Sequence, residues 1–405
     1  MKNAASMNFA EIVSLEEQFQ VETYAKLPIA VVRGDGCWIE DSEGVRYLDL
    51  YGGHAVAATG HCHPHVVKAI QQQAEQLLFY SNIVFSELRA RAAQKLISCA
   101  PSPMTKAFFC NSGTEANENA MRMARLVTGR EKIISLTGGF HGRTADSISA
   151  THLGHYRELG RPNVPGHLFA EFGNIDAVAC IADHSVAGVM LEPIQSMAGV
   201  RMAEPGFYRA LRELCDEHGI FLIYDEVQTG VGRTGSWFFS GTEAGGQVVP
   251  DVITLAKSLA SGVPVGACLT TDRVARQLKT NDLGTTFGGG MLAMAAVLAT
   301  LEAIENDHLM ENITAVEDHL RNCLRAVKSV TAIRGKGALI GIEFDSPVAL
   351  AIQKELISRR IITGSSSDPR TLRLLPPLCI STSEIDQFVT ALREITEKIV
   401  TDQNA

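Results

Sequence analysis

No stretch of the 405-residue chain approaches the roughly 18 uncharged apolar residues that a membrane-spanning helix needs. The opening MKNAASMNFAEIVSLEEQFQ carries acids where a secretory signal needs an apolar core, so the chain is expected to stay in the cytoplasm. Runs of Lys and Arg are missing as well, and 36 basic residues against 45 acidic ones leave a formal charge of -9. That balance gives no electrostatic footprint for nucleic acid or an anionic membrane, and small molecules remain as partners. None of the nine cysteines sits in a C-x-x-C pair, so no disulfide framework is expected. GHCHPH gathers His61, Cys62, His63 and His65, but neighbours in a Gly/Pro turn do not converge easily on one ion. No distant Cys or His pair completes a tetrahedral set around them, and no metal site is expected.

What is present is apolar and ordered. With 46% hydrophobic residues the chain can bury a large core and divide into two domains. From about residue 104 to 270, KAFFC, KIISL, AGVMLEP, IFLIYDE and VITLAK alternate with segments of helical length. This alternation predicts a mostly parallel sheet wrapped by helices. In EPGFYRALRELCDEHGIFLIYDEVQTG, Pro205 suits a first helical turn, Phe207, Leu211, Leu214 and Cys215 share a face, and Gly219 stops the helix. The strand that follows ends at Asp225, where open α/β sheets put their ligands. Beyond about residue 290 the texture changes to long helices and short strands (TAIRG, LIGIEF), the pattern of a smaller α+β domain. CWIEDSEGVRYLDL reads as a hairpin in an N-terminal stretch too short to stand alone. The expectation is an α/β fold: a large domain over residues 51–290, and a small one built from residues 1–50 and 291–405.

Four features fall at strand ends of the large domain. Asn111, Ser112, Gly113 and Thr114 open a helix after KAFFC, and their free N–H groups and hydroxyls suit a phosphate, although such a motif alone is also an ordinary helix cap. TGGFHGRT places Phe140, able to stack on a flat ring, near Arg143, able to clamp a carboxylate; a packed Phe and a surface Arg are the alternatives. Asp225 could keep a pyridine nitrogen protonated, or merely cap a turn. Lys257, in DVITLAKSLASG, is a cation in an otherwise apolar stretch, and an unpaired ammonium there costs several kcal/mol. It is either a lysine snorkelling from a strand end or an amine that forms a Schiff base. Phosphate cradle, ring stacker, pyridinium acid and Schiff-base lysine together describe a pyridoxal phosphate site.

LDLYGGHAVAATGHCHP, NSGTEAN, FHGRT, LEPIQ, YDEVQTGVGRTG, LAKSLASGVPVGA, GTTFGGG and LRLLPP, in order over nearly the whole chain, resemble blocks of the class III aminotransferases of fold type I, of the acetylornithine and ornithine type. The resemblance implies pyridoxal 5'-phosphate as cofactor, held by Lys257, which also shuttles the proton. It implies that Asp225 pairs with the pyridine nitrogen, Val227 packs under the ring and Gln228 reaches toward the phenolic oxygen, with Phe140 and His141 beside the cofactor. Ser112, Gly113 and Thr114 would bind the phosphate, joined by Thr286 of the partner subunit. Arg143 would bind a substrate carboxylate with Thr285 of the partner subunit nearby. A site built from two chains implies an obligate homodimer. The implied reaction is a two-step ping-pong transfer from N2-acetylornithine or ornithine to 2-oxoglutarate, with 4-aminobutyrate, N-succinylornithine or another N-acylated diamino acid as alternative donors. A decarboxylase, racemase or aminomutase on the same scaffold, and a non-enzymatic binding protein, are the rival readings.

The sequence departs from the family pattern on the substrate side. After LEPIQ the family block reads Gly-Glu, and that glutamate masks the arginine of the LRLLPP block. Here Ser196 and Met197 stand instead, so Arg373 is expected beside a thioether and open to an anion. His54 replaces an apolar residue or tyrosine that lines the substrate pocket in relatives. FGGGMLAMAA also lacks the family's Asn-Pro after its glycines.

Overall fold

A computed structural model describes residues 7–403; the first six residues of the acidic opening and the last two of the expected small domain lie outside the described residues. Near the N-terminus, β1 (Val31–Asp35), β2 (Trp38–Asp41) and β3 (Arg46–Asp49) form an antiparallel meander, and the hairpin read from CWIEDSEGVRYLDL pairs Trp38 with Leu48. The middle of the chain supplies β4 (Met104–Cys110), β5 (Lys132–Leu136), β6 (His167–Ala170), β7 (Val186–Leu191), the ribbon β8 (Ile194–Gln195) and β9 (Arg201–Met202), β10 (Phe221–Asp225), β11 (Val252–Leu255) and β12 (Gly266–Thr271). The C-terminal part adds β13 (Val330–Lys336), β14 (Leu339–Phe344), β15 (Ile361–Ile362) and β16 (Thr371–Leu374).

Seven strands make one sheet in the order β4-β12-β11-β10-β7-β5-β6. All pairings in it are parallel except those of β12, which runs antiparallel to both β11 and β4. Burial on both faces explains why β7, β10 and β11 read as unbroken apolar runs: every residue in them is buried. The helix Pro205–His218 turns Phe207, Tyr208, Leu211 and Cys215 into the core, closes at Gly219 and feeds β10. Each large side chain buried there contributes about 2 kcal/mol. Leu214 lies at the margin of this cluster and is only partly buried.

β15 continues the N-terminal sheet, lying parallel to β3 with Ile361 opposite Leu48, so both chain ends share one sheet. β13, β14 and β16 form a second, antiparallel sheet that carries Arg373 opposite Gly341. The helix Met291–Asn306 is apolar almost all round up to Leu301, and it is largely buried there as that requires. It packs against the helices Pro64–Gln76 and Glu87–Cys99 and against the turn after β11.

GHCHPH does not converge. His61, His63 and His65 each place Nε2 2.7–2.8 Å from a different carboxylate, those of Asp49, Asp307 and Glu302.

Candidate active site

The carboxyl ends of β4, β5, β7, β10 and β11 open onto one cavity of about 350 Å³. Its wall is made by the residues that follow those strands: Asn111 to Thr114, Phe140 to Gly142, Glu192, Asp225, Val227 with Gln228, and Ala256 with Lys257. Gathering loops from the carboxyl ends of parallel strands is how this topology builds a ligand site.

The helix Gly113–Thr128 points its amino end at the cavity. Its N-cap is Ser112, whose Oγ accepts from the Glu115 N–H at 3.2 Å. First-turn N–H groups of a helix have no partner within the helix, and with the positive end of the dipole they suit an anion. Two glycines keep the cradle open. A Cβ on Gly113 would lie 3.1 Å from both Val227 methyls, and one on Gly142, at φ 138°, would lie 2.2 Å from Thr114 Oγ1. Thr114 Oγ1 in turn lies 2.6 Å from Thr144 Oγ1.

Opposite the cradle, Asp225 is buried at the end of β10 and its carboxylate is held on three sides. Oδ2 accepts from Asn117 Nδ2 at 2.7 Å and lies 2.8 Å from His141 Nδ1; Oδ1 accepts from the Val227 N–H at 3.1 Å. Asn117, one turn into the cradle helix, is itself fixed: it donates to the His141 carbonyl and accepts from Thr254 Oγ1 at 2.6 Å. The side chains of Gln228 and His141 are buried on the same cavity, and Gln228 Oε1 and His141 Nε2 lack a hydrogen-bond partner. Buried polar atoms are usually hydrogen-bonded, so orphans on a cavity wall are open to a ligand or to water.

β11 stops at Leu255, and Lys257 begins a 3-10 turn with φ 33°, a left-handed conformation that costs an L residue about 1–3 kcal/mol. Lys257 lines the cavity together with Asp225 and Glu192, whose charges act on its amine. Burial pulls the Lys257 amine below its ordinary range, and those two acids hold the fall in check. Glu192 follows β7 and accepts from the Phe140 N–H at 2.8 Å. Burial, with the Asp225 charge second, lifts its carboxyl to about 7.

At the mouth, residues 52–55 make four successive left-handed steps, with φ 56°, 56°, 74° and 64°, two of them on the non-glycines His54 and Ala55. Tyr51 OH hydrogen-bonds His54 Nδ1, and the two rings meet edge-on at 4.9 Å. Burial, then the charges of Lys257, Arg373 and Arg143, push the His54 imidazole down to about 4, which keeps it neutral. Three cations therefore act on one point of the mouth.

Arg373 is buried, and its Nη1 donates to the hydroxyl of Ser196 at 2.8 Å. Nε donates to the Ser365 carbonyl, and Tyr51 OH lies 3.4 Å from Nη2. Among the described residues no carboxylate forms an ion pair with Arg373 or Arg143. Arg143 is exposed in the single chain, its guanidinium 5.2 Å from the Tyr156 ring centre and 5.7 Å from that of Tyr24. Thr285 Oγ1 accepts from Asn111 Nδ2 at 2.9 Å, whereas Thr286 is exposed and outside the cavity of its own chain.

The structure thus brings Ser112, Gly113, Thr114, Phe140, His141, Asp225, Val227, Gln228 and Lys257 onto one cavity. His54 and Arg373 are not part of its lining, but His54 feels the charge of Lys257, and Lys257 that of Arg373. Phe140 lines it while meeting Tyr156 edge-on at 5.4 Å. Sequence reasoning missed Glu192, Asn117 and Tyr51. Glu192 carried the same signal as Asp225, an acid closing an apolar run.

A parallel sheet with an anion cradle, a buried acid and a strained lysine on one cavity defines a pyridoxal phosphate-dependent transferase of fold type I. The chain matches the family Aminotransferase class-III over residues 19–396. It is 41% identical over 384 residues to the acetylornithine aminotransferase of Methanopyrus kandleri, covering 94% of this chain and 97% of that one. It is 39% identical over 377 residues to that of Archaeoglobus fulgidus, covering 93% and 98%. The ornithine aminotransferase from Toxoplasma gondii ME49 superposes with a TM-score of 0.91 at 27% identity, over 98% of this chain and 96% of that one. The chain belongs to the class III aminotransferases: it is a pyridoxal phosphate-dependent transaminase, acting on an amino donor and an oxo acid.

The residues present fit this cofactor. The cradle would be filled by its phosphate, and the orphaned Gln228 Oε1 and the clamped Asp225 would meet polar atoms of its ring. Bound there, the cofactor supplies an electron sink for charge that develops at the substrate carbon.

Proposed function

We propose that this transaminase moves the terminal amino group of N2-acetylornithine or ornithine to 2-oxoglutarate in the cytoplasm, as a homodimer with shared active sites, in two ping-pong half-reactions. The carrying observation is that the Lys257 amine and the Asp225 carboxylate meet on one cavity whose mouth feels two guanidinium groups, Arg143 and Arg373. Lys257, strained out of its strand, holds the cofactor covalently and moves the proton at the substrate carbon. Asp225 keeps the pyridine nitrogen charged; Asn117, His141 and the Val227 N–H hold that carboxylate in place. Phe140 and Val227 would pack against the ring, Gln228 would reach its phenolic oxygen, and the Ser112–Thr114 turn would take the phosphate. Arg143 and Arg373 receive the carboxylates of donor and acceptor, and the neutral His54 faces the distal part of the donor. The names of the close relatives favour acetylornithine among the donors.

The dimer reading rests on a surface patch. Leu78, Tyr80, Ile83, Phe85 and Phe287 are exposed large apolar side chains, and the Phe79 and Phe287 rings meet at 5.2 Å. A monomer rarely leaves such a patch open. Thr285 and Thr286 adjoin it, which suits their reaching the site of a second subunit. The proposed large domain over residues 51–290 and small domain from residues 1–50 and 291–405 are consistent with both chain ends meeting at β3 and β15.

Glutamate formed from 2-oxoglutarate, measured with each donor supplied singly, tests the reading. Acetylornithine or ornithine should give one glutamate per donor consumed; glutamate formed with neither rejects the donor assignment. Because Arg373 is held by neutral hydroxyls, Met197→Glu is expected to shift the relative rates among donors, and unchanged ratios would reject a role for this position.

A further inference from the structure

Far from the cofactor cavity, three side chains with metal-ligand chemistry meet on the C-terminal part of the fold. His319 and Cys323 lie four residues apart on one face of the helix Leu309–Leu324, and Asp386 lies in the helix Thr382–Gln403 packed against it. Their ligand atoms all fall within 4.8 Å of one another. His319 Nε2 is 2.6 Å from Asp386 Oδ1, Cys323 Sγ is 3.6 Å from His319 Nε2, and Cys323 Sγ is 3.9 Å from Asp386 Oδ1. We propose that His319, Cys323 and Asp386 form a binding site for a soft divalent cation of the zinc type, clipping these two helices together.

The geometry supports this choice. Around a tetrahedral zinc with Zn–S near 2.3 Å and Zn–N and Zn–O near 2.1 Å, ligand atoms stand about 3.6 Å apart for sulfur with nitrogen or oxygen, and about 3.4 Å for nitrogen with oxygen. Both sulfur distances match to within about 0.3 Å, and the His–Asp pair has to open by about 0.8 Å. The His319 and Asp386 side chains are 34% and 57% exposed, so the cation can enter from solvent and keep water in its fourth position. Thiolate, imidazole and carboxylate together favour zinc over magnesium or calcium, which take oxygen ligands. The Arg393 guanidinium, whose charge reaches the thiol, is the group such a cation has to tolerate. Sequence reasoning weighed only GHCHPH as a metal site, because its ligands are adjacent. Here 63 residues separate Cys323 from Asp386, and only the packing of two helices joins them.

The experiment uses the intact holoenzyme, freed of metal by a chelator that is then removed. Cys323 is alkylated with iodoacetamide with and without Zn²⁺, and its rate is followed by peptide mass, with the exposed Cys62 and Cys180 as internal controls. Zinc is expected to slow Cys323 at least tenfold while Cys62 and Cys180 keep their rates. The protection should vanish in His319→Ala and in Asp386→Asn, whose transaminase rates should stay at the parent level. An unchanged Cys323 rate in the parent protein, or protection that survives in either variant, would overturn the site.

Discussion

Removing the Asp225 carboxylate separates its structural work from its chemical work. In Asp225→Ala, three buried donors lose their acceptor: one Asn117 Nδ2 hydrogen, His141 Nδ1–H and the Val227 N–H. Each unsatisfied buried donor costs about 1–3 kcal/mol. The adjoining cavity can admit water to relieve them, which puts the total near the low end, about 3 kcal/mol. At about 2.1 cal/mol/K per residue, unfolding a chain of this size has an entropy of about 0.85 kcal/mol/K, so the apoenzyme Tm should fall by about 4 °C. Asp225→Asn keeps the shape and an accepting oxygen, and its apoenzyme should melt within about 2 °C of the parent. Neither variant keeps a charge for the pyridine nitrogen, and losing a preorganised charge of this kind costs about 10²–10³-fold in rate. The assay is thermal melting of the apoenzymes beside turnover of the reconstituted enzymes. An asparagine variant within threefold of parental activity refutes the chemical role. An alanine variant with an unshifted Tm refutes the network.

Further outcomes follow from the same geometry. Glu192 has a folded-state pKa of about 7, above the ordinary 4.5, so the apoenzyme binds the extra proton between those values and loses stability as pH rises through that window. Glu192→Gln removes that dependence, and its melting temperature relative to the parent should rise from pH 5 to pH 8; a constant difference counts against a buried, protonated Glu192. Gly142→Ala drives a Cβ to 2.2 Å from Thr114 Oγ1 at a φ of 138°, and should cost about 2–4 kcal/mol and weaken cofactor retention, seen by equilibrium dialysis. Phe85→Asp combined with Ile83→Asp places two charges in the exposed apolar patch and should give a monomer by sedimentation; an undisturbed dimer would move the interface elsewhere.

How much of this was legible in the sequence depended on how near the signal lay to a strand. Lys257, Asp225 and the Ser112–Thr114 turn each follow an apolar run of five or so residues, and position alone sent them to one edge of the sheet. β12 was not separated from the turn before it, because PVGACLTT mixes small and polar residues and its strand is antiparallel within an otherwise parallel sheet. Tyr51 and His54 were out of reach as a pair: only a left-handed run over residues 52–55 folds one ring onto the other. The hydrogen bond from Arg373 to the Ser196 hydroxyl was equally out of reach, since 177 positions separate the two residues.

The central claim is that Lys257 and Asp225 operate one cofactor on which an ω-amino donor and 2-oxoglutarate react in turn. Its most direct test is the visible absorbance of the purified holoenzyme as acetylornithine, ornithine, 4-aminobutyrate and N-succinylornithine are added singly without any oxo acid. The account predicts that acetylornithine or ornithine bleaches the band of the lysine-bound cofactor and that 2-oxoglutarate restores it. A band that none of the four donors bleaches would contradict the assigned donor class, and a purified protein showing no such band after reconstitution would contradict the claim itself.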